Sequence, residues 1–501
     1  MIVLTFFVVA VIYCFAVLYR RKQFVDLMLN KFRAPSTDPL LGHVARIPPN
    51  SPGIFKTFFD SKEGWFRKYG KNIALIRPLY DVQLFVSNPA DVEKILANPN
   101  SKTARKADSY FDLEAWLGTG LLLAWGEKWF QRRKIITPTF HFNILEQFTE
   151  VMSKQSDILV QKLKPKVNAG DIDIYLYTTL FALDVICETS MGIPIDAQSS
   201  PDSEYVKAVK EITLILQRRF FSLVSRWQFL YDLTPDGRRE KELLKILHGF
   251  TDSVILQRRE QLLQKKPTDK ATKMNFLDML LNSTMNGKPP SNSDIREEVD
   301  TFMFEGHDTT TSGIAFALYQ LSQHKDIQDR LYEELADIYG DTNHMEITYK
   351  QLADLRYLDM VVKEALRIRP SVPLIGRRLT EDTVIDGVNV PNGTNIIIPI
   401  YALHNDPDNF PNPQKFDPDR FDPSQTEGRH PFAYVPFSAG ARNCIGQKFA
   451  LIEIKLVIAK LIMHYELLPA TEQKSPILQG DIVLKSADGI CLRLAERKRN
   501  K

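Results

Sequence analysis

Phe437-Ser438-Ala439-Gly440-Ala441-Arg442-Asn443-Cys444-Ile445-Gly446 sets one cysteine between two glycines, directly ahead of an apolar helical pattern that runs from about Gly446 to His464. An isolated thiol is largely protonated at neutral pH, so a cysteine that must act as an anion needs stabilisation. The start of a helix supplies it, because free N–H groups and the helix dipole favour negative charge on the Cys444 sulfur. Gly440 and Gly446 permit tight turns and the close approach of a flat group. Arg442 offers a planar donor fork for a carboxylate. Phe437 can pack against the sulfur and limit solvent access. A lone cysteine is more often a buried structural residue; the whole ten-residue pattern is what points to a thiolate ligand.

The rest of the chain frames this loop. It has 501 residues, 44% hydrophobic and 25% charged, with a formal net charge of +3. That is ordinary globular composition, and it gives no case for nucleic-acid binding. Cys14, Cys187, Cys444 and Cys491 are far apart and form no CxxC pair, which argues against a disulfide framework or a structural zinc site. Met1 to Tyr19 carries no charged side chain and would rise roughly 28 Å as a helix, about the hydrocarbon thickness of a bilayer. A cleaved signal peptide would need a basic start, a shorter apolar core and a small-residue cleavage site. Residues 1–19 are therefore expected to form a transmembrane signal anchor. Arg20, Arg21 and Lys22 follow at once and predict a cytosolic catalytic domain.

Residues 20–52 read as a basic, proline-rich linker, and 53–501 as one catalytic domain. Asn72–Arg77 and Gln83–Ser87 read as a hairpin of short strands. Helical periodicity dominates from residue 90 to about 370, broken by a polar surface loop at Lys265–Lys273. The stretch from Pro370 to Arg442 is proline-rich, with short strands such as Asn395–Ile398. The expected fold is mostly α with small β-sheets (α+β), behind one N-terminal transmembrane helix.

The cysteine loop resembles the haem-binding signature FxxGxRxCxG of the cytochrome P450 superfamily at every fixed position. Three further motifs, in the right order, extend the resemblance over essentially the whole chain after the anchor. Glu364-Ala365-Leu366-Arg367 lies in a helical run, where residues three apart share a face. With Arg420, in Phe416-Asp417-Pro418-Asp419-Arg420-Phe421, it is similar to the family's ExxR pair and its arginine partner, a structural lock. Trp129 and Arg133, four apart, resemble a WxxxR motif whose arginine meets a haem propionate. The resemblance implies the same role for Arg442, and for Arg377 and His404 in the strand region. Lys128, Arg132 and Lys134 would then form a basic face on the side where the family docks an acidic flavoprotein.

The last motif is Glu298-Val299-Asp300-Thr301-Phe302-Met303-Phe304-Glu305-Gly306-His307-Asp308-Thr309-Thr310. Ser293 is placed to cap this helix, with Asp294, Glu297 and Glu298 suiting its dipole. Gly306 removes bulk where the helix would pass over a haem. Thr309 and Asp308 form an acid–alcohol pair suited to proton delivery, although mid-helix threonines often bond their own backbone. The run is similar to the signature of family 4, the fatty-acid ω-hydroxylase branch. In many of its members the glutamate at the position of Glu305 is esterified to a haem methyl; otherwise Glu305 is a free carboxylate.

The resemblance implies haem b held by Cys444 and hydroxylation of fatty acids or related lipids at or near the ω carbon, with O2 and NADPH-derived electrons. The implied partners are NADPH-cytochrome P450 reductase, cytochrome b5 and the endoplasmic reticulum membrane. Substrate-facing segments would be Tyr110–Leu123, Ile212–Phe221, Phe302–Gly306 and Val372–Ile375. Competing readings are a monooxygenase of steroids, terpenoid hormones or foreign compounds, a haem-thiolate isomerase, and a non-enzymatic haem sensor.

Overall fold

The structure, a computed structural model, describes residues 2–39, 41–99, 105–200, 202–222, 224, 227–264, 274–285, 287–340 and 345–497, with side chains from Thr5 onward and not at Leu79. The expected loop at 265–273 lies outside the described residues. Helices α1 (Ile2–Lys31), α2 (Ser51–Phe59), α3 (Gly126–Ile136), α4 (Phe142–Leu163), α5 (Ile174–Ile186), α6 (Glu204–Phe221), α7 (Pro235–Gln264), α8 (Asn292–Gln323), α9 (Arg356–Ile368) and α10 (Gln447–His464) make up most of the body. The main sheet has four strands, β1 (Asn72–Arg77), β2 (Asp81–Val86), β3 (Ile375–Arg378) and β4 (Asn395–Ile398), in the order β1-β2-β4-β3. The β1–β2 hairpin pairs Asn72 with Val86 through Arg77 with Asp81, and β2 runs parallel to β4. Its inward residues, such as Leu75, Leu84 and Ile396, are fully buried, which locks the register, because a slip of one residue would turn them to solvent. Strands β5 (Tyr465–Pro469), β6 (Leu478–Gly480), β7 (Leu484–Ser486) and β8 (Cys491–Glu496) close the chain.

The axis of the molecule is α8. It is a 32-residue helix buried along most of its length, packed against α5, α7, α9 and α10. Its cap differs from the expectation. Ser291, not Ser293, accepts the N–H of Asp294, and Asp294 returns a bond to the Ser291 N–H, a reciprocal capping box. The two prolines just before it, Pro289 and Pro290, keep the helix from extending further back.

Helix α1 does not stop at the basic triplet. It continues to Lys31, and Val25, Met28 and Phe32 bury themselves against the main sheet. The first proline after the triplet is Pro35, so nothing in Arg20–Lys31 breaks the helix. Among the described residues no helix is long and apolar enough to cross a membrane. The side chains of residues 1–4, where the expected span begins, lie outside those described. Thr5 to Tyr19 alone rises only about 22 Å, short of a hydrocarbon core of ~30 Å.

Candidate active site

The cysteine loop is shaped by backbone approach at both ends. Gly440 has φ +70°, and a Cβ there would lie 1.9 Å from the carbonyl oxygen of Leu96, so only glycine lets the loop press against that segment. Its role is packing against protein, not the approach of a flat cofactor. At Gly446 a Cβ would find the Cys444 sulfur and Phe140 no closer than 3.9 Å, so that side is open. The Cys444 N–H donates to Phe437 O at 2.9 Å, which turns the sulfur ahead of α10, whose N-cap is Gly446. Cys444 lines a cavity of about 380 Å³, together with Phe437, Arg442, Trp129, Arg133, Arg377, Glu305 and Thr309. Burial and the charge of Glu305 push the thiol up to about 11, against the Gly446 N–H and the nearby cations Arg133 and Lys106. The helix start alone therefore does not ionise this sulfur; a metal cation at it would.

The cations at this end of the cavity are held by carbonyls rather than carboxylates. Arg442 donates twice to Ala124 O, at 2.9 and 2.8 Å, and lies 4.7 Å over the Trp129 ring. Arg133 forks onto Asn443, to its O and Oδ1, both at 2.9 Å. Arg377 donates to Gly376 O and, at 3.1 Å, to Ser438 Oγ. Burial lowers all three, Arg442 to about 9. Sequence reasoning missed a fourth, Lys106, which lines the same cavity and lies over the Tyr110 ring at 5.3 Å. Burial, then the charges of Arg377 and Arg442, hold it well below the usual ammonium range. Nothing in Ala104-Arg105-Lys106-Ala107 marks it out in advance. Four converging cations with little opposing charge form a receptor for carboxylates, and one sulfur without other clustered ligands suits a metal that brings its own. Among the described residues no three His, Cys, Asp or Glu side chains converge on a metal position. The set therefore fits an iron porphyrin with its two propionates.

His404 does not join them. It is fully buried away from the cavity, its Nε2 accepts the Val435 N–H at 2.9 Å, and its ring stacks on Tyr434. Burial and the adjacent Arg367 depress it to about 3. Its neighbours are the expected lock. Glu364 and Arg367, both fully buried, pair through two bonds of 2.7 and 2.8 Å, and Arg367 also donates to the carbonyls of His404, Pro413 and Lys415. Arg420 Nε stands 3.4 Å from Glu364, and the Asp417 N–H donates to the same carboxylate at 2.9 Å.

On α8, Glu305, Gly306, Thr309 and Thr310 face the cavity. Burial pushes Glu305 up to about 7, with Lys106 opposing. Thr309 Oγ1 donates to Glu305 O at 2.8 Å, the backbone bond that mid-helix threonines favour, which leaves its lone pairs to accept. Asp308 is not part of the cavity wall. It is ion-paired with Lys485 at 2.9 Å and lies 3.5 Å from the Tyr175 hydroxyl. Gly306 has another task than the expected one: a Cβ there would meet Ile186 of α5 at 2.5 Å, so its bareness lets two helices touch. Glu453 of α10, fully buried, accepts from Thr310 at 3.3 Å, and burial keeps it far above the carboxylate range.

The expected basic face also changes. Arg132 is 1% exposed and binds Asp294, Glu297 and Glu298, tying α3 to the start of α8, and Lys128 joins it through Glu297 at 3.0 Å. The carboxylates assigned to the helix dipole are the partners that draw Arg132 inward. All four expected substrate segments reach the cavity, through residues such as Tyr110, Gln217, Phe304 and Val372. Three more, missed in sequence, complete it: Ile54–Phe59 of α2, Phe85, and Gly480–Val483.

A sequence model of the cytochrome P450 family matches residues 35–492. The chain is 42% identical to cytochrome P450 4d2 of Drosophila melanogaster over 92% of this chain and 93% of that protein. It is 39% identical to cytochrome P450 4c3 of the same fly, covering 99% and 95%. It is 41% identical to human cytochrome P450 4V2, covering 92% and 88%. With its cysteine loop, its cation ring and relatives of this kind, the chain belongs to the cytochrome P450 family, in its family 4 branch, and is a monooxygenase that carries haem b and takes NADPH-derived electrons through a reductase.

Proposed function

We propose that the protein hydroxylates fatty acids or related long-chain lipids at or near the ω carbon. The observation that carries this reading is the cavity itself: beyond the Cys444 end its lining is largely apolar and aromatic, with Phe55, Phe58, Phe220, Phe221 and Phe304 contributing. Such a lining gains ~25 cal/mol for each Å² of chain taken from water, without fixing the chain by polar contacts.

Haem b, when bound, supplies the activation of O2. Cys444 would hold its iron, and Lys106, Arg133, Arg377 and Arg442 its propionates, with Phe437 and Trp129 packing beside them. Thr309, having given its proton to Glu305 O, accepts a hydrogen bond from water in the cavity and passes protons on. Asp308, behind it, exchanges protons with the Lys485–Tyr175 side and reaches Thr309 through water or a turn of its own side chain. Glu305 either esterifies to the haem or stays a buried acid. Glu364, Arg367 and Arg420 hold the loop beneath.

We further propose that residues 1–19 anchor the protein in the endoplasmic reticulum membrane with the catalytic domain cytosolic, where reductase and cytochrome b5 dock. Phe6, Phe7, Tyr13 and Phe15 of α1 are exposed, and so are Trp227, Phe229 and Leu233 between α6 and α7, a distribution suited to a lipid surface. The test incubates the full chain with reductase, NADPH and a lipid panel, and identifies products by mass spectrometry. Terminal or near-terminal hydroxylation of chain lipids is the expected result. Turnover of steroids or terpenoids with none of chain lipids would overturn the reading.

A further inference from the structure

The cations lining the cavity gather at its Cys444 end, where Arg133 reaches Asn443, Arg377 reaches Ser438, and Lys106 sits among the charges of Arg377, Arg442 and Arg133. Away from that end the charged residues in the lining are acids, Asp112 and Asp481. Asp112 has its own partner, Arg219 Nε at 3.0 Å. A chain lipid with its far carbon at the sulfur end would leave its polar end in this acidic half.

Asp481 belongs to a patch where α2, α6 and the β6–β7 turn meet. Ser51 Oγ donates to Asp481 Oδ1 at 2.6 Å. Gln217 Nε2 donates to Ser51 Oγ at 2.8 Å and to Gly480 O at 3.1 Å. A backbone carbonyl can only accept, so Gly480 sets which way round the Gln217 amide sits. Gln479 Nε2 adds a further bond to Asp481 Oδ2 at 3.2 Å. Each of these donors is thus spent inside the patch. What it offers the cavity is acceptors: the Asp481 carboxylate and Gln217 Oε1, which accepts from no described residue although Gln217 is only 7% exposed.

A substrate carboxylate brought here would set an anion against acceptors and another carboxylate, with no donor to replace its water. A hydroxyl would satisfy the vacant acceptor. We infer that Gln217 and Asp481, backed by Ser51, select long-chain substrates whose polar end is an uncharged hydrogen-bond donor, a primary alcohol, over those ending in a carboxylate. This rests on the reading that the cavity takes a lipid chain.

The test titrates the ferric holoenzyme with 1-dodecanol and with dodecanoate at neutral pH in one detergent. Displacement of the iron-bound water is read as a shift of the Soret band. The alcohol should bind about tenfold or more tightly, the factor that 1.4 kcal/mol represents. Asp481→Asn, which removes the charge and adds a donor, should shrink that ratio. Dodecanoate binding as tightly as dodecanol, or an unchanged ratio in Asp481→Asn, would overturn the assignment while leaving the lipid reading standing. No shift with either lipid, but a shift with a steroid or terpenoid, would sink the lipid reading and this inference with it.

Discussion

Replacing Arg367 with alanine removes a cation at the centre of a fully buried network. Two bonds to Glu364 disappear, and the carbonyls of His404, Pro413 and Lys415 lose a donor. Glu364 would keep only the Asp417 N–H and Arg420, the latter at 3.4 Å. Breaking one side of a buried pair costs about 3–5 kcal/mol, because the other charge is stranded. At 1.4 kcal/mol per factor of ten, that raises the unfolded fraction by roughly two to nearly four orders of magnitude, a large share of a typical stability of ~5–15 kcal/mol. Arg367→Lys should recover little, because a single ammonium cannot span both Glu364 oxygens and the carbonyls around it. Pulse proteolysis of the holoenzyme across a urea series reads the change. With a slope of about 3 kcal/mol/M or more for a chain of this size, the midpoint should fall by roughly 1 M. A midpoint within about 0.2 M of the parent protein would refute the argument that this pair locks the fold.

Lys106→Met should weaken retention of haem by about 10- to 100-fold, the loss of one charge-assisted bond, read as faster transfer to a haem scavenger; an unchanged rate would remove Lys106 from the cation ring. Asp300 is pushed up to about 8 by burial, with Thr251 and Arg296 opposing. Its folded value is thus raised above the ordinary 3.8, so its contribution is complete below that value and is lost as pH rises through 8. Asp300→Asn should flatten the decline of stability between pH 5 and 8 in thermal melts, and an unaltered slope would contradict the shift. Asp308→Asn should slow hydroxylation by about 10²–10⁴-fold and enlarge the solvent isotope effect if Asp308 carries protons. A loss of stability with an unchanged isotope effect would make it the structural partner of Lys485 instead.

The elements that sequence reading located best are those whose partners are near in the chain. Glu364 and Arg367 share one turn of helix, the β1–β2 hairpin closes over a few residues, and α10 begins within one residue of its expected start. Misplacements fell where a distant element supplies the partner. Arg132 looked like one of three surface cations, yet it is drawn inward by acids more than 160 positions away. His404 looked like a cofactor contact, yet Val435 and Tyr434 hold it elsewhere.

What the linear chain determined is the chemistry: which sulfur, which fork of donors, which helix carries the acid and the alcohol, and so which family. Those identities reside in short spacings that helix geometry converts directly into shared faces. Only the tertiary structure decided which neighbour each face meets: Ile186 against Gly306, Lys485 against Asp308, and Gln217 with Asp481 at the far wall. The reason is that periodicity specifies the direction of a side chain along its own element, whereas its partner depends on how separate elements pack.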